Sequence, residues 1–387
     1  MCVRLSRAES YRDRGGPPRR AQARGLAPRR RARDIQHRRG HARLRVTDVA
    51  APAKRIVDEA IGSLCTAAVV RVERRGAVET YAAGTLCPDP SAGPDAPCTA
   101  ASLFDLASLT KLATTALVLS FVREQQLELD MPFRELVPDF RGGNKDRVTL
   151  RQVLTHTAGL AWWKSFWKEA STPDEVVWLA AREPLAQDIG EFRYSDLGYI
   201  MLTAGVARVA GEPFRSVMRE RVLDVVEART CEFGPRPAQE CAATEEDTEW
   251  RRKRLRGEVH DENAYAMGGV SGHAGLFGTA ADVAALIRVY RDGAVIGNDL
   301  RDLARTEQYR GGGVRRGIGL VLRPPEGLPF FSDDAFGHTG FTGTSVWVDP
   351  AKDLTLVVLT NRVYFGRAND EELYRFRVAV YEALARP

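Results

Sequence analysis

Three patterns of apolar and polar positions follow one another along the chain. From Ile56 a helix-type stretch, VDEAIGSL, leads into AAVVRVERRGAVETYAAGTL, two β-type runs separated by Arg75 and Gly76, which predicts a hairpin. The segment LFDLASLTKLATTALVLSFVREQQL is apolar all round its middle, which predicts a buried helix. From about 150 to 290 the period is mostly helical, in VTLRQVLTH, TPDEVVWLAARE, YIMLTAGVARVAG and TAADVAALIRVYRDG. The last of these opens with Thr279 and Asp282 at capping-box spacing. After 310 strand patterns return in GIGLVLR and in GTSVWVDPAKDLTLVVLT, whose two β runs meet at the turn Asp349-Pro350-Ala351-Lys352. The helix DEELYRFRVAVYEALA closes the chain.

Early strands, a central helical block, late strands and a terminal helix predict an α+β fold, an α/β sandwich. The early and late strands pair in one antiparallel sheet flanked by the terminal helices, with an inserted all-helical domain. The boundaries this implies are 1–46 for an N-terminal arm, 47–104 with 291–387 for the sheet and its helices, and 105–290 for the helical domain, the active site lying at the interface of the last two. No internal repeat is visible.

Charge sets the arm apart. Residues 1–45 hold 15 Arg, no Lys and three acidic residues, whereas residues 46–387 carry 41 basic and 48 acidic side chains and a net charge of −7. Arg, Pro and Gly with almost no apolar residues cannot offset chain entropy, so the arm is expected to be disordered. An Arg-rich arm can bind nucleic acid through phosphates, but it has no interleaved aromatics after Tyr11 and no partner fold, so nucleic acid is a minor reading. The longest apolar run, Ala113 to Val122, is interrupted by Thr114, Thr115 and Ser120 and is too short to span a bilayer. No secretory signal is present, so the chain as written is expected in the cytoplasm, and in the periplasm if the recorded start is misplaced. The six Cys form no CxxC pair and no zinc spacing, so neither metal nor cofactor is expected; Cys87 and Cys98 flank the loop CPDPSAGPDAPC, which a disulfide would close in an oxidising compartment.

The chemistry begins at Ser108-Leu109-Thr110-Lys111. Three residues apart at a helix start, the Ser108 hydroxyl and the Lys111 amine can meet on one face. A Lys one turn into an apolar helix needs a fixed partner or a lowered pKa, and as a neutral amine it can take the Ser108 proton. The helix N-terminus would stabilise the developing alkoxide. Two further elements follow: Tyr194-Ser195-Asp196 in FRYSDLGYIML, and His338-Thr339-Gly340 in GHTGFTGTSVWVD. With these the sequence resembles the serine β-lactamase and penicillin-binding-protein superfamily, whose signatures are S-x-x-K, Y-x-N or S-x-N, and K-T-G or H-T-G. The branch it resembles holds class C β-lactamases, D-alanyl-D-alanine carboxypeptidases and β-lactamase-like esterases. FDLASLTK, VTLRQVLTHTAGL, GLFGTAADVAAL and HTGFTGTSVWVDP carry the likeness over roughly residues 56–385.

The resemblance implies a serine hydrolase. Ser108 would attack an ester or amide carbonyl to form an acyl-enzyme, and Lys111 would accept or relay its proton. Tyr194, held by Lys111 as a phenol of lowered pKa, would act as general base and protonate the leaving group. The backbone N–H groups of Ser108 and Phe341 would form the oxyanion hole, and His338 and Thr339, with Gly340, would bind the substrate. Two departures stand out. Asp196 occupies a position that is usually Asn, which favours a protonated Lys111 and disfavours anionic substrates. His338 replaces the Lys of efficient class C β-lactamases, so the cation that would grip a β-lactam carboxylate is missing.

Other residues carry weaker expectations. His156 is read as a buried residue orienting a turn, and His273 as structural. His260, in HDEN, either lines the cleft or braces a loop. Trp162, Trp163, Phe166 and Trp167 in AWWKSFWKEA are read mainly as core, with an aromatic cleft wall as the alternative. The expected substrate is a small ester or a D-amino-acid peptide, with no dedicated β-lactamase activity; the alternative is a catalytically silent protein of the same fold serving as a binding or scaffold module.

Overall fold

The computed structural model describes residues 50–323 and 327–386. The Arg-rich arm lies outside the described residues. The described residues form one compact unit. Helix α1 (Ala51–Ala60) begins five residues before the expected Ile56, with Pro52 in its first turn. A Pro is tolerated there because the first-turn N–H groups have no helical acceptor.

Strands β1 (Ala67–Arg74) and β2 (Ala77–Gly84) form the expected hairpin, with both Arg75 and Gly76 at positive φ. Two left-handed residues match the twist of the flanking strands. The hairpin joins the late strands in one eight-stranded sheet. Its order is 77–84, 67–74, 354–360, 345–349, 336–339, 321–322, 314–316 and 309–311, every neighbouring pair antiparallel.

Period-two alternation decides which face each side chain serves. Ala67, Val69, Val357 and Leu359 pack into the cluster shared with the helical block. Their neighbours Ala68, Val70, Leu356 and Val358 face the other way, onto α1 and the closing helix Asp370–Ala385. The sheet is therefore covered on both faces, and its central strands are nearly continuous apolar runs.

Helix α2 (Thr110–Arg123) is buried from Thr110 through Phe121, as its uniformly apolar middle predicts. The Thr279–Asp282 capping box is present, and so are boxes at Thr149–Gln152 and Thr172–Glu175. Two expectations differ from the structure. The inserted block is not purely helical: it carries short strands at 232–233, 246–247, 253–254 and 276–278. Each spans only two or three residues, too few for alternation to show. In GIGLVLR only Val321–Leu322 is strand. Gly319 lies at φ +69, where a Cβ would meet the Thr115 side chain at 2.5 Å, so the chain bends against α2 before it pairs.

Replacing Leu356, fully buried between the sheet and the terminal helices, with Ala should cost about 2–5 kcal/mol. Chemical denaturation should show a lower midpoint with an unchanged slope.

Candidate active site

Ser108 sits in a single 3-10 turn, Ala107–Leu109, that runs directly into α2. Ala107 is held at φ +46, a left-handed conformation that costs a non-glycine residue about 1–3 kcal/mol. Asp105 supplies the constraint. Its Oδ1 accepts the Ala107 N–H at 2.8 Å and its Oδ2 accepts the His260 N–H at 2.6 Å. Burial pushes this carboxyl up from its usual range.

Lys111, one turn on, is completely buried. Its Nζ donates to Ser108 Oγ at 2.9 Å and to the His273 carbonyl at 3.0 Å, and lies 2.7 Å from Asp196 Oδ1. No aligned N–H reaches that carboxylate oxygen, so the last contact is ionic. Burial works against the charge, but Asp196, with Tyr194 beside it, outweighs it and holds Lys111 above the usual lysine range. Of the two arrangements expected for a buried Lys111, a fixed partner or a lowered pKa, the structure has the fixed partner, Asp196, and this favours the ammonium. Its Nζ also stands 5.1 Å from the Tyr194 ring centre.

Asp196 is placed by its own N–H, which donates to the Trp162 carbonyl at 3.0 Å, and by the helix Leu197–Ala210 that starts beside it. His156 orients the same turn: its Nδ1 accepts the Ser195 N–H at 3.1 Å, and its ring lies 4.5 Å from that of Tyr194. Burial holds its imidazole well below the usual range. The expectation of an orienting buried residue matches this geometry.

The late strand reaches the Ser108 turn through a tight seam. Thr342 Oγ1 donates to the Asp105 carbonyl at 2.7 Å and Thr344 Oγ1 to that of Leu106 at 3.0 Å. A Cβ on Gly340 would lie 2.2 Å from Thr344 Oγ1 and 2.7 Å from the Leu106 carbonyl oxygen, so only glycine allows the approach. The Phe341 N–H that follows has no acceptor among the described residues.

A cleft of about 340 Å³ opens over Ser108. Tyr194, Asp196, Phe341, His260, Trp162 and Trp163 are among its walls, as are Asp261, Glu262, His273 and Arg367. Trp162 is 60% exposed at the mouth, whereas Phe166 is buried in the core and Trp167 stacks on Trp250 at 4.6 Å. The aromatic run thus divides between wall and core. His338, Thr339 and Gly340 lie outside the lining residues. The His338 side chain is buried with Nδ1 against the Thr339 carbonyl at 2.9 Å, and burial holds it well below the usual range. The His338 imidazole therefore does not line the cleft.

His273, read from sequence as structural, lines the cleft: Nε2 meets Asp261 Oδ1 at 2.8 Å, and its carbonyl is an acceptor for Lys111. His260 does both things expected of it, lining the cleft and bracing a loop through Glu245 Oε2 at 2.7 Å. Asp105, Ala107 and Arg367 were missed because their partners lie more than a hundred residues away or depend on backbone conformation, which no local pattern reports. Cys87 and Cys98 are free, buried thiols. Among the described residues no group of three or more His, Cys, Asp or Glu is arranged to hold a metal ion. Likewise, no helix there is long and apolar enough to cross a membrane.

The profile of the Beta-lactamase family matches residues 54–379, most of the chain. The chain belongs to that family. Among relatives of this beta-lactamase family member, an N-acetylmuramyl-L-alanine amidase of Bacillus subtilis is 30% identical over 312 residues, 70% of each chain. A putative D-alanyl-D-alanine carboxypeptidase of Escherichia coli is 29% identical over 315 residues, 71% of this chain and 72% of its own. The structure of EstCE1, a hydrolase with promiscuous acyltransferase activity, superposes with a TM-score of 0.71 at 23% identity, covering 87% of this chain and 98% of its own, and shows the shared fold. The fold expected from the sequence, an antiparallel sheet with helices in the β-lactamase/transpeptidase arrangement, is the fold of the family.

One electrostatic link is open to a direct test. Burial opposes the Glu245 charge, but hydrogen bonds from His260 and Arg367 outweigh it and lower its pKa to about 2. A depressed carboxylate contributes stability above its unfolded pKa and loses it as pH falls through the folded one. Because Glu245 is partly exposed, solvent screening leaves about 1–2 kcal/mol of the full linkage. Acid titration of stability should therefore be steeper between pH 4.5 and 2 in the wild type than in Glu245→Gln.

Proposed function

We propose that the protein is a serine hydrolase forming an acyl-enzyme at Ser108, and that it acts on small neutral esters. The observation that carries the reading is the placement of Lys111 Nζ, which donates to Ser108 Oγ at 2.9 Å and lies 2.7 Å from the Asp196 carboxylate that favours its charge. With Lys111 already protonated, Tyr194 is the base. Ser108 gives its proton to the Tyr194 oxygen as Oγ bonds to the carbonyl carbon, and the oxyanion that develops is held by the N–H groups of Ser108 and Phe341. Each such donor is worth about 3–4 kcal/mol in the transition state. Tyr194 then protonates the departing alkoxide. In the second half-reaction it takes a proton from water, which cleaves the acyl–Ser108 bond and regenerates the hydroxyl.

Charge inside the cleft supports the choice of a neutral substrate. Asp196 faces Lys111, Asp261 faces His273, and Arg367 is shared between Glu245 and Glu262 at 2.7 Å each. His338 is buried and neutral. Among the described residues no free cation lines the cleft to hold a substrate carboxylate, while Trp162, Trp163 and Phe341 offer apolar walls for an acyl or alcohol group. A second reading, D,D-carboxypeptidase activity, draws its support from the relatives that carry that name. Neither reading makes the protein a dedicated β-lactamase.

Intact-protein mass after incubation with a fluorophosphonate, and separately with a penicillin, tests both readings. A single fluorophosphonate adduct is expected on the wild type and none on Ser108→Ala; Tyr194→Phe should label at least 100-fold more slowly, in keeping with the roughly 10²–10⁴-fold contribution of a general base. Efficient labelling by penicillin would move the assignment to the peptidase. An unlabelled wild type would remove the hydrolase reading.

A further inference from the structure

The peptide joining Gly340 to Phe341 carries the N–H proposed as the second oxyanion donor, and Gly340 itself does little to fix its orientation. Glycine is required at 340 because a Cβ would collide with Thr344 Oγ1 and the Leu106 carbonyl. The same lack of a Cβ removes the steric resistance that keeps most peptide planes in one orientation. Opposed changes in ψ of Gly340 and φ of Phe341 would turn this plane over with little displacement of the chain on either side. The seam therefore demands a residue that leaves the donor free to point the wrong way.

Two guanidinium groups outside the cleft lining remove that freedom. Arg377 Nη2 donates to the Gly340 carbonyl at 3.0 Å and to the Thr344 carbonyl at 2.6 Å. The Thr344 carbonyl also accepts the Gly340 N–H at 2.7 Å, and the Gly340 carbonyl accepts the Gly343 N–H at 3.2 Å, so one nitrogen ties both ends of the turn 340–344. Arg362 Nε donates to the Phe341 carbonyl at 2.8 Å, which fixes the next peptide. The C=O and N–H of a trans peptide point in opposite directions. With the Gly340 carbonyl held toward the closing helix, the Phe341 N–H is turned to the other side, where it has no acceptor among the described residues. Arg377 is in turn placed by its helix. Phe376 and Val380 pack into the cluster between the sheet and the terminal helices. Tyr381, four residues on and so on the same helix face, donates to Ser345 Oγ at 2.6 Å.

We propose that Arg377 is a positioning residue for the oxyanion hole. By holding the Gly340 carbonyl it keeps the Phe341 N–H directed at the point where charge develops on the substrate. By placing a cation on the oxygen of that same amide it also makes the N–H a stronger donor, since hydrogen-bonded groups polarise one another and an ionised donor does so most. The inference rests on the reading of Phe341 as an oxyanion donor and identifies what orients it. Arg377 is not among the residues lining the cleft, so its removal acts on turnover and not on substrate binding.

The test reads the peptide and the reaction separately. Gly–Phe occurs once in the chain, so protein with carbon-13 at glycine carbonyls and nitrogen-15 at phenylalanine gives a single coupled amide signal, that of Gly340–Phe341. Arg377→Met should shift the Gly340 carbonyl carbon, and the Phe341 amide should move or split in two. Both half-reactions pass through an oxyanion, so kcat for 4-nitrophenyl acetate should fall about 100-fold, as for a displaced donor, with KM within about threefold. Arg377→Lys, which keeps the cation, should recover most of the rate and return the signal toward its wild-type place. Arg377→Gln, which keeps only a neutral donor, should show the same shift and loss to a smaller extent, and it carries the test where the Met variant does not fold. An unshifted signal in a folded Met or Gln variant of an active protein would overturn this inference alone. So would an unchanged kcat beside a lower melting temperature, the mark of a purely structural brace, or a loss carried by KM. A wild type that neither turns over the ester nor takes a fluorophosphonate would overturn the hydrolase reading, and with it the catalytic role of Arg377, whatever the signal does.

Discussion

The buried ion pair between Lys111 and Asp196 is the constraint around which the site is organised. An ammonium cannot be left alone in the middle of an apolar helix bundle, because desolvation without a partner costs several kcal/mol. Asp196 meets that requirement, and in doing so removes Lys111 from the list of proton acceptors. Everything else then acquires a defined task. The Ser108 hydroxyl is oriented by a donor that holds its lone pair, so its own proton points elsewhere. The His273 carbonyl takes another of the three N–H groups, which ties the 268–275 loop to α2. The base chemistry proposed for the site then falls to Tyr194, whose ring centre lies 5.1 Å from Lys111 Nζ.

Around this pair the fold works as a clamp. The strained turn at Ala107 holds Ser108 where the start of α2 and the late strand converge, and Asp105 fixes that turn from below while Thr342 and Thr344 fix it from the sheet. Gly340 permits an approach that no other residue would. Arg377, from the closing helix, reaches the carbonyls of Gly340 and Thr344 at 3.0 and 2.6 Å, so the last element of the chain also braces the seam. The oxyanion donors proposed at Ser108 and Phe341 sit on its two sides, which makes their spacing a property of tertiary packing and not of either loop alone.

Much of this was legible in the sequence for physical reasons. Alternating Val and Ala positions with a two-residue turn announce the hairpin, because side-chain period and turn geometry are local. The uniformly apolar stretch after Ser108 announces a buried helix, and the Thr279–Asp282 spacing announces the cap of another, Ala280–Leu286. Ser108, Lys111, Tyr194 and Asp196 were recognisable from short motifs, and Asp196 already argued for a charged Lys111. What was not legible depends on contacts remote in the chain. Nothing in YRGGGVRRGIGL marks Arg316 as buried against the Phe192 ring, since a basic side chain in a turn-rich segment reads as solvent-exposed. His338 looked like a substrate ligand because the family motif implies it; that its ring turns to the strand's own Thr339 carbonyl depends on tertiary packing, which no local pattern reports. The two- and three-residue strands inside the helical block owe their existence to their partners, not to their own composition.

The account stands or falls on the charge of Lys111. Nitrogen-15 spectra of lysine-labelled protein, with Lys111→Met identifying the resonance, would report the Nζ state directly. The account predicts an ammonium signal at neutral pH that persists above the ordinary lysine midpoint near pH 10.4, and a lower midpoint in Asp196→Asn. A neutral amine at pH 7 in the wild type would contradict it and return the role of base to Lys111.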